Sequence, residues 1–167
     1  MSIVRPTLLA CALLLAPASH VLAQSEGGLA ERRAIQAYSK DVWPPLERAI
    51  QDAAGFPVPV ALDMKSLALP GYAQSYGSDD YLRKPIIDPL IQALSSIASD
   101  DLGKQALKEK LTSIVILYDE ASAPSSNYEE GVSFSGGVLT LNWKPFTNVD
   151  DLEPRVTAIT SVLERNL

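Results

Sequence analysis

Hydrophobic positions recur at helical spacing from Leu29 onward: Ile35, Tyr38 and Val42 share one stripe, with Glu31, Arg32, Arg33 and Gln36 off it. Pro44-Pro45 breaks that stripe. A second helix starts there and continues the spacing through Leu46, Ala49, Ile50 and Ala53 until Gly55 stops it. Residues 56–63 alternate instead, with Val58, Val60 and Leu62 on one side. Pro57 and Pro59 cannot donate to a ladder, which predicts an edge strand or a strand whose paired part begins at Val60. Residues 64–77 lack a period and predict a loop, carrying Tyr72 and Tyr76, that folds back on the core.

Helical spacing returns after Ser78-Asp79-Asp80, where Pro85 and Pro89 divide a short first turn from a main helix over 88–99. Ile86, Leu90, Ala93, Leu94 and Ile97 form its inward stripe. Asp100-Asp101 opens another helix, with Leu102, Leu107 and Leu111 inward and Lys104, Lys108 and Lys110 outward. The almost continuously apolar, β-branched run 113–119 predicts the central strand of a sheet.

Beyond a loop of small residues, two alternating runs flank Gly136-Gly137, a pair suited to the positive φ values of a two-residue hairpin turn. That turn sets Val132 opposite Leu141, Phe134 opposite Leu139 and Glu130 opposite Trp143 on an apolar face. A last helix follows Asp150-Asp151, with Pro154 in its first turn and Val156, Ile159, Val162 and Leu163 inward. The expected fold is α+β: one small domain with a four-stranded, largely antiparallel sheet, a C-terminal β-hairpin, and helices packed on one face.

The N-terminus reads differently. Arg5 precedes an apolar run over 7–18, and Val21-Leu22-Ala23 ends in a signal-peptidase pattern, which predicts a cleaved Sec-type leader over 1–23 and a mature domain over 24–167. The run is shorter than the roughly 20 residues of a membrane span. Export implies a periplasmic or secreted protein with no stable membrane insertion after cleavage. The single cysteine, Cys11, and the single histidine, His20, leave with the leader. The mature chain then has no disulfide and depends on its hydrophobic core. Arg5 is the only charge removed, so 20 acidic residues face 14 minus 1 basic ones. Such an acidic domain disfavours nucleic acid and favours a basic protein partner.

Without histidine or cysteine, a Ser-His-Asp or Cys-His nucleophile cannot be assembled, and the usual zinc ligands are missing. No phosphate-cradling or calcium-binding loop stands in for them, and no cofactor or metal is expected. Carboxylates remain. Asp79-Asp80, Asp100-Asp101 and Asp150-Asp151 stand at predicted helix starts and read as caps. Asp63 reads as a loop-capping or salt-bridged residue. Trp143 reads as core.

Two further groups bracket one loop. Tyr118, Asp119 and Glu120 close the central strand, and Tyr128, Glu129 and Glu130 open the hairpin. They read as a protruding acidic and aromatic element suited to a basic cleft. The implied function is a non-catalytic, immunity-protein-like binding or inhibitory protein; the alternatives are an accessory module of an envelope complex and a small carboxylate-dependent hydrolase.

Overall fold

Prolines decide the geometry of the helical layer. The computed structural model describes residues 28–167, and the expected leader lies outside the described residues. Helix α1, Leu29–Ala37, continues through a π-helical turn, Tyr38–Val42, into α2, Trp43–Ala54. Pro44-Pro45 thus leaves the helix unbroken. The pair occupies the start of α2, where a missing N–H costs least. The turn before it widens, so that the Trp43 N–H reaches the Tyr38 carbonyl five residues back.

A second π-helical segment, Asp79–Ile87, contains Pro85 and runs into α4, Asp88–Ile97, with Pro89 in its first turn. Neither proline can donate to the carbonyl four residues back. Those carbonyls, of Tyr81 and Pro85, accept from distant donors: the Phe146 N–H reaches Tyr81 O at 2.9 Å, and Arg155 Nη1 reaches Pro85 O at 2.8 Å. The two prolines therefore free carbonyls that anchor distant segments, the β4 exit loop through Phe146 and the last helix through Arg155.

Strands β1 (Val60–Leu62), β2 (Ser113–Leu117), β3 (Val132–Ser135) and β4 (Val138–Asn142) form a sheet in the order β1-β2-β4-β3. It is mixed, not largely antiparallel: β1 runs parallel to β2 and β2 to β4, and only β3 opposes β4. Alternation encodes which face a residue takes and is silent on strand direction. Direction follows from the connection, and the long stretch between β1 and β2, with α4 and helix α5 (Asp101–Lys110), supplies a parallel crossover.

Val132 lies opposite Leu141 and Phe134 opposite Leu139, with Gly136 and Gly137 at φ +57° and +83° between the strands. The ladder stops at Val132, and Glu130 does not face Trp143. Tyr128–Gly131 coils instead into a 3₁₀ turn, and Gly131 tucks beneath the indole, where an added Cβ would come within 2.5 Å of Trp143. Ile114, Ile116, Leu139 and Leu141 are buried in the core with Leu90, Leu94, Ile159 and Leu163. On the other face of β2 and β4, Val115, Leu117, Val138 and Thr140 stay partly exposed.

Three local features depart from expectation. Leu102 is 78% exposed, because five residues at about 100° each set it well off the line of buried Leu107. Met64–Leu67 forms a one-turn helix, α3, within the expected loop, started by Asp63 Oδ1 accepting from Lys65 N–H at 3.1 Å. Of the acidic pairs, Asp100 caps α5 through Gly103 N–H at 2.8 Å, whereas Asp79 and Asp80 pair with Arg83 and Lys84 one turn on. Asp151, at the start of the last helix, α6 (Leu152–Glu164), makes no cap bond and serves another purpose.

Candidate functional site

The parallel strands β1, β2 and β4 all end along one edge of the sheet, and antiparallel β3 begins there. The carboxyl edge of parallel strands is where loops diverge and leave room for a ligand or partner. Tyr118, Asp119 and Glu120 follow β2, and Tyr128, Glu129 and Glu130 precede β3. Because β4 separates those strands, its exit loop, residues 143–151, comes between the two groups.

The loop after β2 is held by its own polar atoms. The Asp119 carboxylate accepts from the Ala121 N–H at 3.1 Å and the Ser122 hydroxyl at 2.5 Å, and Asn142 ties both ends down through the Asp119 N–H and Ser122 Oγ. The Ser122 hydroxyl, with the Ala121 N–H, holds the Asp119 carboxyl below its usual range. Asp119 is therefore an ionised loop staple. Glu120 is exposed, Glu129 pairs with Arg165 at 2.8 Å, and Glu130 accepts from Asn127 at 2.8 Å. Tyr118 is half-buried and lines a cleft of about 310 Å³ with Ala123, Pro124, Lys144, Thr147 and Asn148.

Tyr128 does not join that surface. It is buried, its ring meets Trp143 edge-on at 5.7 Å, and its carbonyl accepts from Trp143 Nε1 at 2.9 Å. Its hydroxyl donates to Asp151 at 2.6 Å and accepts from Asn148 Nδ2 at 3.0 Å. Burial, reinforced by the bond to Asp151, raises its pKa.

The centre of this arrangement is Arg155, 1% exposed. Its guanidinium lies 4.6 Å from the Tyr128 ring and 5.6 Å from that of Trp143, donating to Pro85 O and Thr147 O at 2.8 Å each. Among the described residues Nε has no hydrogen-bond partner, and no carboxylate forms an ion pair with the guanidinium. Burial lowers its pKa. Two carbonyls and two aromatic faces thus carry a charge that folded chains usually give to a carboxylate. Arg155 was legible as an oddity, since it lies on the helical stripe of Ile159 and Val162, where an arginine interrupts apolar positions.

What Arg155 holds is the β4 exit loop. Phe146 sits at φ +58° and Asn148 at φ +46°. Asparagine tolerates that region, but a bulky residue is strained there by about 1–2 kcal/mol. The Phe146 ring gains little burial in return. It is 44% exposed and rests 5.7 Å from Tyr72, itself 42% exposed, with buried Tyr81 beneath both. Tyr81 and Tyr76 are fixed by hydroxyl bonds to the backbone of Leu67 and Leu69, so the aromatic pair stands on a rigid base. No signal in the sequence marks Phe146, because its backbone conformation is imposed from outside the loop.

Among the described residues no cluster of His, Cys, Asp or Glu could hold a metal ion, and no helix is long and apolar enough to cross a membrane. The chain matches no family model, no curated protein and no solved structure.

Proposed function

We propose that this is an exported, periplasmic or secreted, non-catalytic binding or inhibitory protein, immunity-protein-like in role, that recognises a basic protein partner at the carboxyl edge of its sheet. Phe146 carries the reading. A strained backbone displaying a half-exposed aromatic ring beside a second one is a poor use of stability and a good anchor for a partner. Glu120 on the neighbouring loop and Asp150, four positions along the loop that carries Phe146, add exposed negative charge, which suits a basic surface and speeds encounter with it. Tyr118, Asp119, Glu129 and Glu130 shape the rim, and Tyr128 acts from within by positioning the loop.

The test uses protein purified from cells expressing the full sequence, immobilised against envelope extract. A stoichiometric basic partner should be retained at low salt and released as salt rises. Phe146→Gly, which the backbone accepts, combined with Tyr72→Ser should weaken capture about tenfold or more while the fold melts as before. Recovery of no salt-sensitive partner, or capture undiminished by the double change, sinks the reading.

A second reading, an accessory module of an envelope complex, draws support from the outer sheet face, where Val115, Leu117 and Val138 remain partly exposed and lie outside the core cluster. It predicts that Val115→Lys disrupts co-fractionation while the aromatic pair is dispensable. A carboxylate-dependent hydrolase has less behind it, since Asp119 is held ionised and Glu129 and Glu130 are already engaged.

A further inference from the structure

The core packs against one face of the sheet, and Val115, Leu117 and Val138 on the other face lie outside it. Strand pairing puts nine residues on that outer face: one from β1, three from β2, two from β3 and three from β4. All are alanine, valine, leucine, serine, threonine or asparagine, and none is charged, in a chain with 14 basic and 20 acidic residues. Depletion of charge within an otherwise charged surface marks the centre of an interface. A basic partner finds no carboxylate on this face to pair with. Two copies of an acidic chain repel one another, and least where neither presents a charge.

The residues just beyond the strands say how two copies would meet. β2 and β4 are the central strands, with Ser113 level with Val138, Val115 with Thr140 and Leu117 with Asn142. Two positions further, the same alternation brings Asp119 level with Lys144. Asn142, itself on the outer face, accepts from the Asp119 N–H at 2.8 Å and keeps that residue on this side. Both Asp119 and Lys144 are exposed, and Lys144 forms no ion pair among the described residues. A two-fold axis running along the strands lays β2 of one copy over β4 of the other at the same level. Val115 then meets Thr140 of the second copy, and Asp119 meets its Lys144. Symmetry makes each contact twice.

We propose that this face is a homodimer interface, two copies packed sheet against sheet about that axis, with Val115, Leu117 and Val138 at its centre and Asp119 of each copy opposite Lys144 of the other. Four strands about 4.8 Å apart, with up to five residues of about 3.3 Å each, make a face of roughly 300 Å². A stable complex takes about 800 Å² a side, so the association is reversible and half complete near 0.1 mM, as order of magnitude. The interface shares no residue with the Tyr72 and Phe146 anchor and stands without it.

Analytical ultracentrifugation and amide chemical-shift mapping of the purified protein, from about 10 µM to about 1 mM, test it. A monomer–dimer equilibrium is expected, with concentration-dependent shifts on β2 and β4 and none at Tyr72 or Phe146. Val115→Lys should weaken association about tenfold or more, because it buries a charge with no partner, and should leave the unfolding midpoint near that of the parent. Lys144→Glu and Asp119→Lys each set like charges opposite one another and should weaken it several-fold. Mixed in equal amounts, those two variants regain oppositely charged pairs and should associate more tightly than either alone. The proposal is overturned by a monomer throughout that range, by association that Val115→Lys leaves intact, by growth past the dimer, or by a mixture no tighter than its components. A monomer whose Val115→Lys variant loses an envelope protein also overturns it, and gives the face to the accessory-module reading.

Discussion

Two loops leave the carboxyl ends of neighbouring parallel strands and are held in opposite ways. The loop after β2 secures itself with side chains of its own, Asp119 and Ser122, and with Asn142 at the end of the next strand. The loop after β4 is secured from afar: the Tyr81 carbonyl receives the Phe146 N–H, Arg155 of α6, itself tied to the Pro85 carbonyl, grips Thr147 O, and Tyr128 braces Asn148 from the turn before β3. Only the second loop holds a bulky residue at positive φ. Local hydrogen bonds suffice to close a turn, but to keep a strained conformation in place takes a surround that over-determines it.

Arg155 is where that contrast breaks most sharply. Arg155→Met approximates the volume and removes the donors, leaving Pro85 O and Thr147 O without partners, and should cost about 2–4 kcal/mol in urea unfolding. Amide exchange should quicken over 144–151 and stay slow over 119–123. If both loops loosen together, they form one unit and the contrast is wrong.

A milder change sharpens it. Tyr128→Phe deletes the bonds to Asp151 and Asn148 while keeping the ring against Arg155, and should cost about 1–2 kcal/mol. Differential scanning calorimetry measures the loss, and the Asn148 amide signal should shift while that of Ser122 holds still.

The smallest effect belongs to Asp119. Its pKa is lowered in the folded protein, so its contribution is complete above the ordinary carboxyl range and disappears as pH falls through the lowered value. Amide signals of Ala121 and Ser122 should therefore move with a midpoint below that of an ordinary aspartate, and Asp119→Asn should abolish the transition and lower the melting temperature only slightly. A midpoint at or above the ordinary range would show that the staple does not form in solution.

The same division runs through what could be read from the chain. The central position of β2, the burial of Ile114 and Ile116, the glycine pair between β3 and β4 and the capping by Asp63 and Asp100 all rest on residues within a few positions of one another. Side-chain period and turn chemistry act over that range, so the sequence carries them openly. Strand direction, the continuity of the helix across Pro44-Pro45 and the inward turn of Tyr128 depend on where distant segments meet.

By itself, then, the sequence determined an acidic chain of mixed helix and strand, the faces that most of its strand residues take, and the carboxylates that collect near β2 and β3. Tertiary structure alone decided that the sheet is mixed, that β4 stands between the strands those carboxylates flank, and that Phe146 is held strained and half-exposed against Tyr72 and Tyr81. The physical reason is in the prolines. Pro85 and Pro89 strip donors from their own helix, a fact written in the sequence, but which groups answer the two free carbonyls is settled only when Phe146 and Arg155 are folded against them.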